Sequence, residues 1–192
     1  MKKFLFLVLM AVLAVPSLSF AGSLDHTKVL TDKSLKGYKS IGVKLFSTDN
    51  VSYDNVNTDE RRRMKGGFLE DVQKKLSKTV VSDLKGDGIN AFLIDKDGKN
   101  AGKADMIIEG EITKIDLGSA VARWWVGWGA GGVNVSVKGD IKDAKTGEVL
   151  AKFRHSNSSG LRNTNDKWEM TLHEAQDLGD KLTDFVEKLR KR

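Results

Sequence analysis

Cysteine is absent from all 192 residues, and proline occurs once, at Pro16. The first absence excludes disulfides, a thiol nucleophile and a lipid carried on an N-terminal cysteine. The second leaves everything beyond residue 16 without a proline-rich linker, so no boundary between domains is written in the chain. Histidine is nearly as scarce: His26, His155 and His173 show no HExxH spacing, and a zinc centre therefore lacks its usual ligands. Neither Ser119 nor Ser159 sits in the G-x-S-x-G elbow that a serine hydrolase needs. "DKDGKN", from Asp95, opens like a calcium loop. It then puts Lys99 at a ligand position, Asn100 where glycine is required and Met106 where the bidentate glutamate belongs, so it reads as a solvated turn. "GWGAGG" leads into the strand-like "VNVSV" and not into a helix whose amides could hold a phosphate. No cofactor site emerges.

What the chain does have begins at its first residues. "MKKFLFLVLMAVLAVPSLSFAG" places Lys2 and Lys3 before an apolar run and ends in small residues at Ser19 and Ala21. That pattern predicts a secretory signal peptide over residues 1–21, cleaved after Ala21. Pro16 and Ser17 stop the run short of the roughly twenty apolar residues that span a bilayer, so no transmembrane anchor is expected after cleavage. The expected destination is the periplasm, reached as a soluble protein and not as a lipoprotein. The balance of 32 basic against 26 acidic residues gives +6, and Lys2 and Lys3 leave with the signal. So mild an excess suits weak attraction to anionic lipid or wall polymer, and nucleic acid is not an expected partner.

Residues 22–37 are polar without periodicity and predict a flexible N-terminal arm; residues 38–192 predict one α/β domain. "YKSIGVKLF" alternates Ile41, Val43 and Leu45 as a strand would. Met64, Phe68, Val72, Leu76 and Val80 then mark one face of a helix, with Thr58 as its cap and Gly86 or Gly88 as its stop. "NAFLID" completes a β-α-β unit with parallel strands. "ADMIIEGEITKID", "GVNVSVKGDI" and "GEVLAKFRH" form an antiparallel meander, with "DAKTG" as the turn between the last two. A second amphipathic helix carries Ala175, Leu178, Leu182, Phe185 and Leu189, capped by Asp166 with Glu169 at capping-box spacing. The expected fold is a two-layer α/β (α+β) domain: a mixed β-sheet with both helices on one face.

Charge and hydrophobic matching suggests registers for the meander. One places Ile141 opposite Val149 and Val137 opposite Phe153; the other places Ile112 opposite Val135 and Ile108 opposite Gly139. The second leaves the stretch 116–131 outside the ladder as a projecting flap. A rival pairing turns tightly at Gly118 and Ser119, but sets Lys114 against Arg123. The arginine run Arg61 to Arg63 lies in the positive half of its helix, where Asp59 and Glu60 are the nearest counter-charges and an anionic docking patch is the alternative. Glu109 and Glu111 share a sheet face, an arrangement too common to read as catalysis.

The expected site is the stretch "GSAVARWWVGWGAGG", which holds three of the four tryptophans. In an extended chain Gly127, Gly129 and Gly131 fall on one face and Val126, Trp128 and Ala130 on the other. The bare face admits close approach, and the indoles suit a core, a sugar platform or a bilayer interface. Gly110, Gly118, Arg123, Gly127, Gly129, Gly131, Asp143 and Gly147, within "EGEITKIDLGSAVARWWVGWGAGGVNVSVKGDIKDAKTGEVLAKF", carry a resemblance. The chain resembles an uncharacterised family of exported bacterial envelope proteins, the domain of unknown function 4410 type, many of them lipoproteins. The resemblance implies an envelope location and one domain, and brings no catalytic residue with it. The resulting expectation is a non-enzymatic periplasmic module. Arg123, Trp124, Trp125 and Trp128 contact an envelope protein, or a peptidoglycan or lipid surface, and Gly118, Gly127, Gly129 and Gly131 shape the contact. Direct binding of carbohydrate or lipid is the alternative.

Overall fold

In a computed structural model of the chain, the described residues are 24–95, 97–119, 132–156 and 166–192. Seven strands form one mixed sheet: β1 (His26–Val29), β2 (Ser40–Val43), β3 (Ser52–Asp54), β4 (Asn90–Leu93), β5 (Met106–Asp116), β6 (Asn134–Asp143) and β7 (Val149–His155). Their order is β1-β7-β6-β5-β2-β4, with β3 pairing on β5 beyond the end of β2. β2 runs parallel to both β4 and β5, as the β-α-β pattern predicts, while β5, β6 and β7 form the antiparallel meander. The helices are α1 (Thr58–Arg63), α2 (Leu69–Gly86) and α3 (Lys167–Arg190), and α2 and α3 pack together over one face of the sheet.

The core forms where the two periodicities meet. Every second residue of β5 and β6 points at the helices, so Met106, Ile108 and Ile112 lie buried with Val135, Val137 and Ile141. Val72, Leu76, Val80 and Leu84 of α2 and Leu178, Leu182, Val186 and Leu189 of α3 close over them. Gly179 permits the close approach of the two helices, since a Cβ there would lie 2.7 Å from Cβ of Thr79.

Several expectations are corrected. The first helix does not run unbroken from residue 58: a π-helical turn, Met64–Phe68, separates α1 from α2, and Gly67 holds φ 128 inside it. Met64 and Phe68 stay buried on either side, so apolar spacing passes straight through the break. The cap is Asn57 and not Thr58. Its side chain accepts from the Glu60 N–H at 2.9 Å, and the Glu60 carboxylate accepts from the Asn57 N–H at 2.8 Å. Residues from 24 onward in the stretch expected as a loose arm are tied in: β1 pairs antiparallel with β7, and Leu24 and Leu35 are buried.

Both suggested registers are shifted by two residues. Ile141 faces Ala151 and Val137 faces His155; Ile112 faces Val137 and Ile108 faces Ile141. The physical reason is the cross-strand pair Gly110–Gly139. A Cβ on Gly110 would meet Phe46 Cε1 at 2.7 Å, and one on Gly139 would meet Phe153 Cζ at 2.4 Å. The two rings, 6.1 Å apart, lie over the space that the paired glycines leave. The tight-hairpin alternative is excluded, because Lys114 faces Ser136 and not Arg123.

Candidate functional site

Of the expected contact residues, Gly118 is described; Arg123, Trp124, Trp125, Trp128, Gly127, Gly129 and Gly131 lie outside the described residues. What the structure shows is where their segment is rooted. The β5–β6 ladder ends at the pair Asp116–Asn134. Leu117 and Val133, the next residues on each side, are both buried. Gly118 takes the left-handed conformation, φ 71, and its N–H donates to Asp116 Oδ1 at 2.9 Å. Asn134 donates to the Ser156 carbonyl at 2.5 Å, which joins this root to the end of β7.

The arginine run is resolved into single roles. Arg61 lies over the Tyr53 ring at 5.2 Å and Arg63 over Trp168 at 4.2 Å, while Arg62 pairs with Asp59 at 3.1 Å. Trp168 also meets Phe68 edge to face, and Lys167 pairs with Glu60. These residues fasten α1 to the start of α3. The Arg62–Asp59 pair, three residues apart, was within reach of the sequence; the roles of Arg61 and Arg63 were not, because their ring partners Tyr53 and Trp168 lie on other elements.

A second feature was not anticipated. The sheet face turned away from the helices carries an open groove of about 770 Å³ that runs across the strands. One wall, crossing from β2 toward β1, carries Lys44, Glu109, Asp140, Lys152 and Lys28. The other carries Ser47, Glu111, Lys138, Arg154 and His26. Between them the floor is Leu45, Gly110, Gly139, Phe153 and Thr27. Five strands at the usual spacing make the groove about 19 Å long.

Its charges are arranged by column. Glu109 pairs with Lys44 at 2.7 Å and with Lys142; Glu111 pairs with Lys138 at 2.7 Å and Asp140 with Lys152 at 3.4 Å. Burial pushes the Glu109 carboxyl up, but hydrogen bonds from Lys142 and Lys44 outweigh it and hold the group below its ordinary range. The acids therefore sit toward β5 and β6. The β7–β1 end is basic throughout. The outward alternation of these strands was readable; the groove was not, because β1 supplies one of its five columns.

One histidine sits among charged partners. His155 is buried at the end of β7, with Nδ1 3.0 Å from Asp25 Oδ1 and Nε2 3.1 Å from Lys181 Nζ. Lys181 can only donate, so its ammonium faces Nε2 as an acceptor, while Nδ1 meets the Asp25 segment twice, at the carboxylate and at the backbone N–H, which lies 3.3 Å away. Both nitrogens are thus engaged by the protein itself. Asp25 also accepts from the Ser156 N–H at 2.6 Å. The arrangement fastens the N-terminal segment to β7 and α3, and leaves neither ring nitrogen for a substrate.

These features define a two-layer α+β domain with one sheet face covered by helices and the other open and charged. The chain belongs to the family described as domain of unknown function (DUF4410), whose model matches residues 41–162, more than half of the chain. A comparison with curated proteins returned no match. Among solved structures, the PelC dodecamer from Paraburkholderia phytofirmans is 11% identical, with 80% of this chain and 98% of that one covered and a TM-score of 0.47. A neuraminyllactose-binding hemagglutinin homolog from Helicobacter pylori is 9% identical, covering 86% and 97%, with a TM-score of 0.46. A DUF330 protein from Xanthomonas campestris is 9% identical, covering 85% and 91%, with a TM-score of 0.48. Likenesses this distant carry nothing about function.

Proposed function

We propose that the protein is an exported, non-catalytic binding module of the cell envelope that docks on an envelope partner through residues 117–133. The observation that carries this reading is the anchored root. The ladder stops at Asp116 and Asn134, Leu117 and Val133 are buried directly beyond it, and Gly118 turns the chain. The sheet thereby holds both ends of the connection that bears Arg123, Trp124, Trp125 and Trp128, residue types that dominate binding hot spots. The signal-like N-terminus and the family support an envelope setting. A non-catalytic role is supported by His155, whose two nitrogens are committed to Asp25 and Lys181.

Replacing Trp124 and Trp128 together by alanine tests the proposal. The expected outcome is loss of envelope material from a pull-down with the melting temperature nearly unchanged. A fall of about 10 °C would instead place the rings in the protein's own interior and remove the site. A second reading, direct carbohydrate binding, is favoured by the cross-strand groove.

A further inference from the structure

We propose that the open sheet face is a second binding site, for a linear acidic glycan lying across the strands with a carboxylate held at the β7–β1 end. It rests on the carbohydrate reading of the groove, whose sugar class it names, and does not depend on the docking role of residues 117–133.

Three observations lead here. First, the basic end is assembled against local electrostatics. Lys28 stands directly opposite Lys152, and Lys138 directly opposite Arg154, like-charge neighbours that cost a sheet stability. Lys138 and Lys152 are relieved by Glu111 and Asp140. Lys28 and Arg154 are exposed, and among the described residues neither has a carboxylate partner. Two uncompensated cations on opposite walls of the groove's β7–β1 end, across the Thr27–Phe153 floor pair, are complementary to an anion held between them. Second, Glu109, Glu111 and Asp140 add acceptors along the same walls on which lysines donate. Hydroxyl groups, which both donate and accept, match such alternation along their length. Third, the groove crosses the strands. The sheet's N–H and C=O groups lie in its plane and are spent in the ladder, so a peptide laid across this face finds no main-chain partner. An acidic glycan satisfies the three conditions together.

The test is calorimetric titration of the full chain with short oligogalacturonates, beside neutral maltooligosaccharides of equal length, polyglutamate and phosphatidylglycerol vesicles. Oligogalacturonate is expected to bind, and to bind less tightly as salt rises. The double variant Lys28→Gln, Arg154→Gln is expected to lose about tenfold or more in affinity, because it removes the charge-assisted hydrogen bonds. Both side chains are exposed and, among the described residues, have no carboxylate partner, so the variant should keep the wild-type melting temperature and circular dichroism. The Trp124→Ala, Trp128→Ala variant should bind oligogalacturonate as the wild type does, whatever becomes of its docking. No heat with oligogalacturonate, equal affinity for the neutral sugar, or undiminished binding by the Lys28, Arg154 variant overturns the proposal. Polyglutamate or vesicles binding as tightly as the glycan would also overturn it, in favour of an acidic peptide or a lipid surface.

Discussion

Single side chains in this protein often act as fasteners between segments far apart in sequence, and His155 is the clearest case. Burial first, and then the Lys181 charge, push its imidazole below the ordinary histidine range, while the charge and hydrogen bond of Asp25 pull the other way and lose. The sign follows from proton binding. With a folded-state value below the unfolded 6.5, the native state takes up fewer protons, so this histidine's contribution is complete above that value and declines as pH falls through it. His155→Gln should cost about 1–3 kcal/mol near pH 8, the range for a buried polar group that loses its partners. The stability gap between wild type and variant, measured by urea unfolding at stepped pH, should narrow below pH 6.5. A gap that stays constant would show that the ring's protonation plays no part. Using the gap also cancels Asp180, whose carboxyl is pushed up to about 6, first by burial and then by its hydrogen bond with Asp83 and the charges of Asp83, Asp177 and Asp184. That group favours folding toward lower pH, the opposite sense to His155.

At the scale of elements, the meander is held in register by what two residues lack. Gly110 and Gly139 face each other, and Phe46 and Phe153 occupy the space above them. Phe46 is itself set by α2: Gln73 donates to its carbonyl, and its N–H donates to Ser77 Oγ at 3.4 Å. Gly139→Val would thrust a Cβ to 2.3 Å from the Glu109 carbonyl as well as into the Phe153 ring. A loss of about 3 kcal/mol is expected, the upper part of the overpacking range, read as a lower urea midpoint at unchanged slope. An unchanged midpoint would mean that the glycine pair does not set the register. The same pair shows why strands were legible in the sequence and their pairing was not. Alternation in "ADMIIEGEITKID" and "GVNVSVKGDI" tells which residues face inward, and a two-residue slip preserves that answer. Only the fit of two rings over two glycines separates the registers, and Phe46 lies outside the meander altogether. The break between α1 and α2 was hidden differently. Gly66 and Gly67 were visible, yet a π turn adds one residue and still returns Met64 and Phe68 to the buried side.

For the whole molecule, the decisive segment is the one whose sequence says least. "HTKV" offers only Val29 as an apolar inward residue, so residues 26–29 read as part of an arm; the strand exists because β7 presents an unpaired edge. With β1 invisible, the fifth column of the groove was invisible too, whereas the indole-rich stretch announced itself through composition alone. The N-terminal segment is held at several points. Leu24 and Leu35 are buried, Asp25 meets His155, and Lys33 pairs with Glu148 at 2.6 Å. Just beyond it, the Tyr38 hydroxyl donates to Asp143 Oδ2 at 2.6 Å. Burial, and then that bond, push the Tyr38 phenol up to about 12, and the same bond, with the backbone N–H groups of Thr146 and Lys145, holds Asp143 down to about 2. The latch therefore stays formed across neutral pH. Two buried leucines contribute about 3–6 kcal/mol between them, a large share of a typical domain's 5–15 kcal/mol. A chain starting at Gly37 should accordingly melt about 10 °C or more below one starting at Gly22. It should also associate as concentration rises, since β7 becomes a free edge with no covering strand. Thermal melts followed by circular dichroism, with light scattering at two concentrations, check both effects. If the shortened chain melts within a degree or two of the longer one and stays monomeric, β1 is an ornament on a sheet that closes without it, and the groove ends at β7.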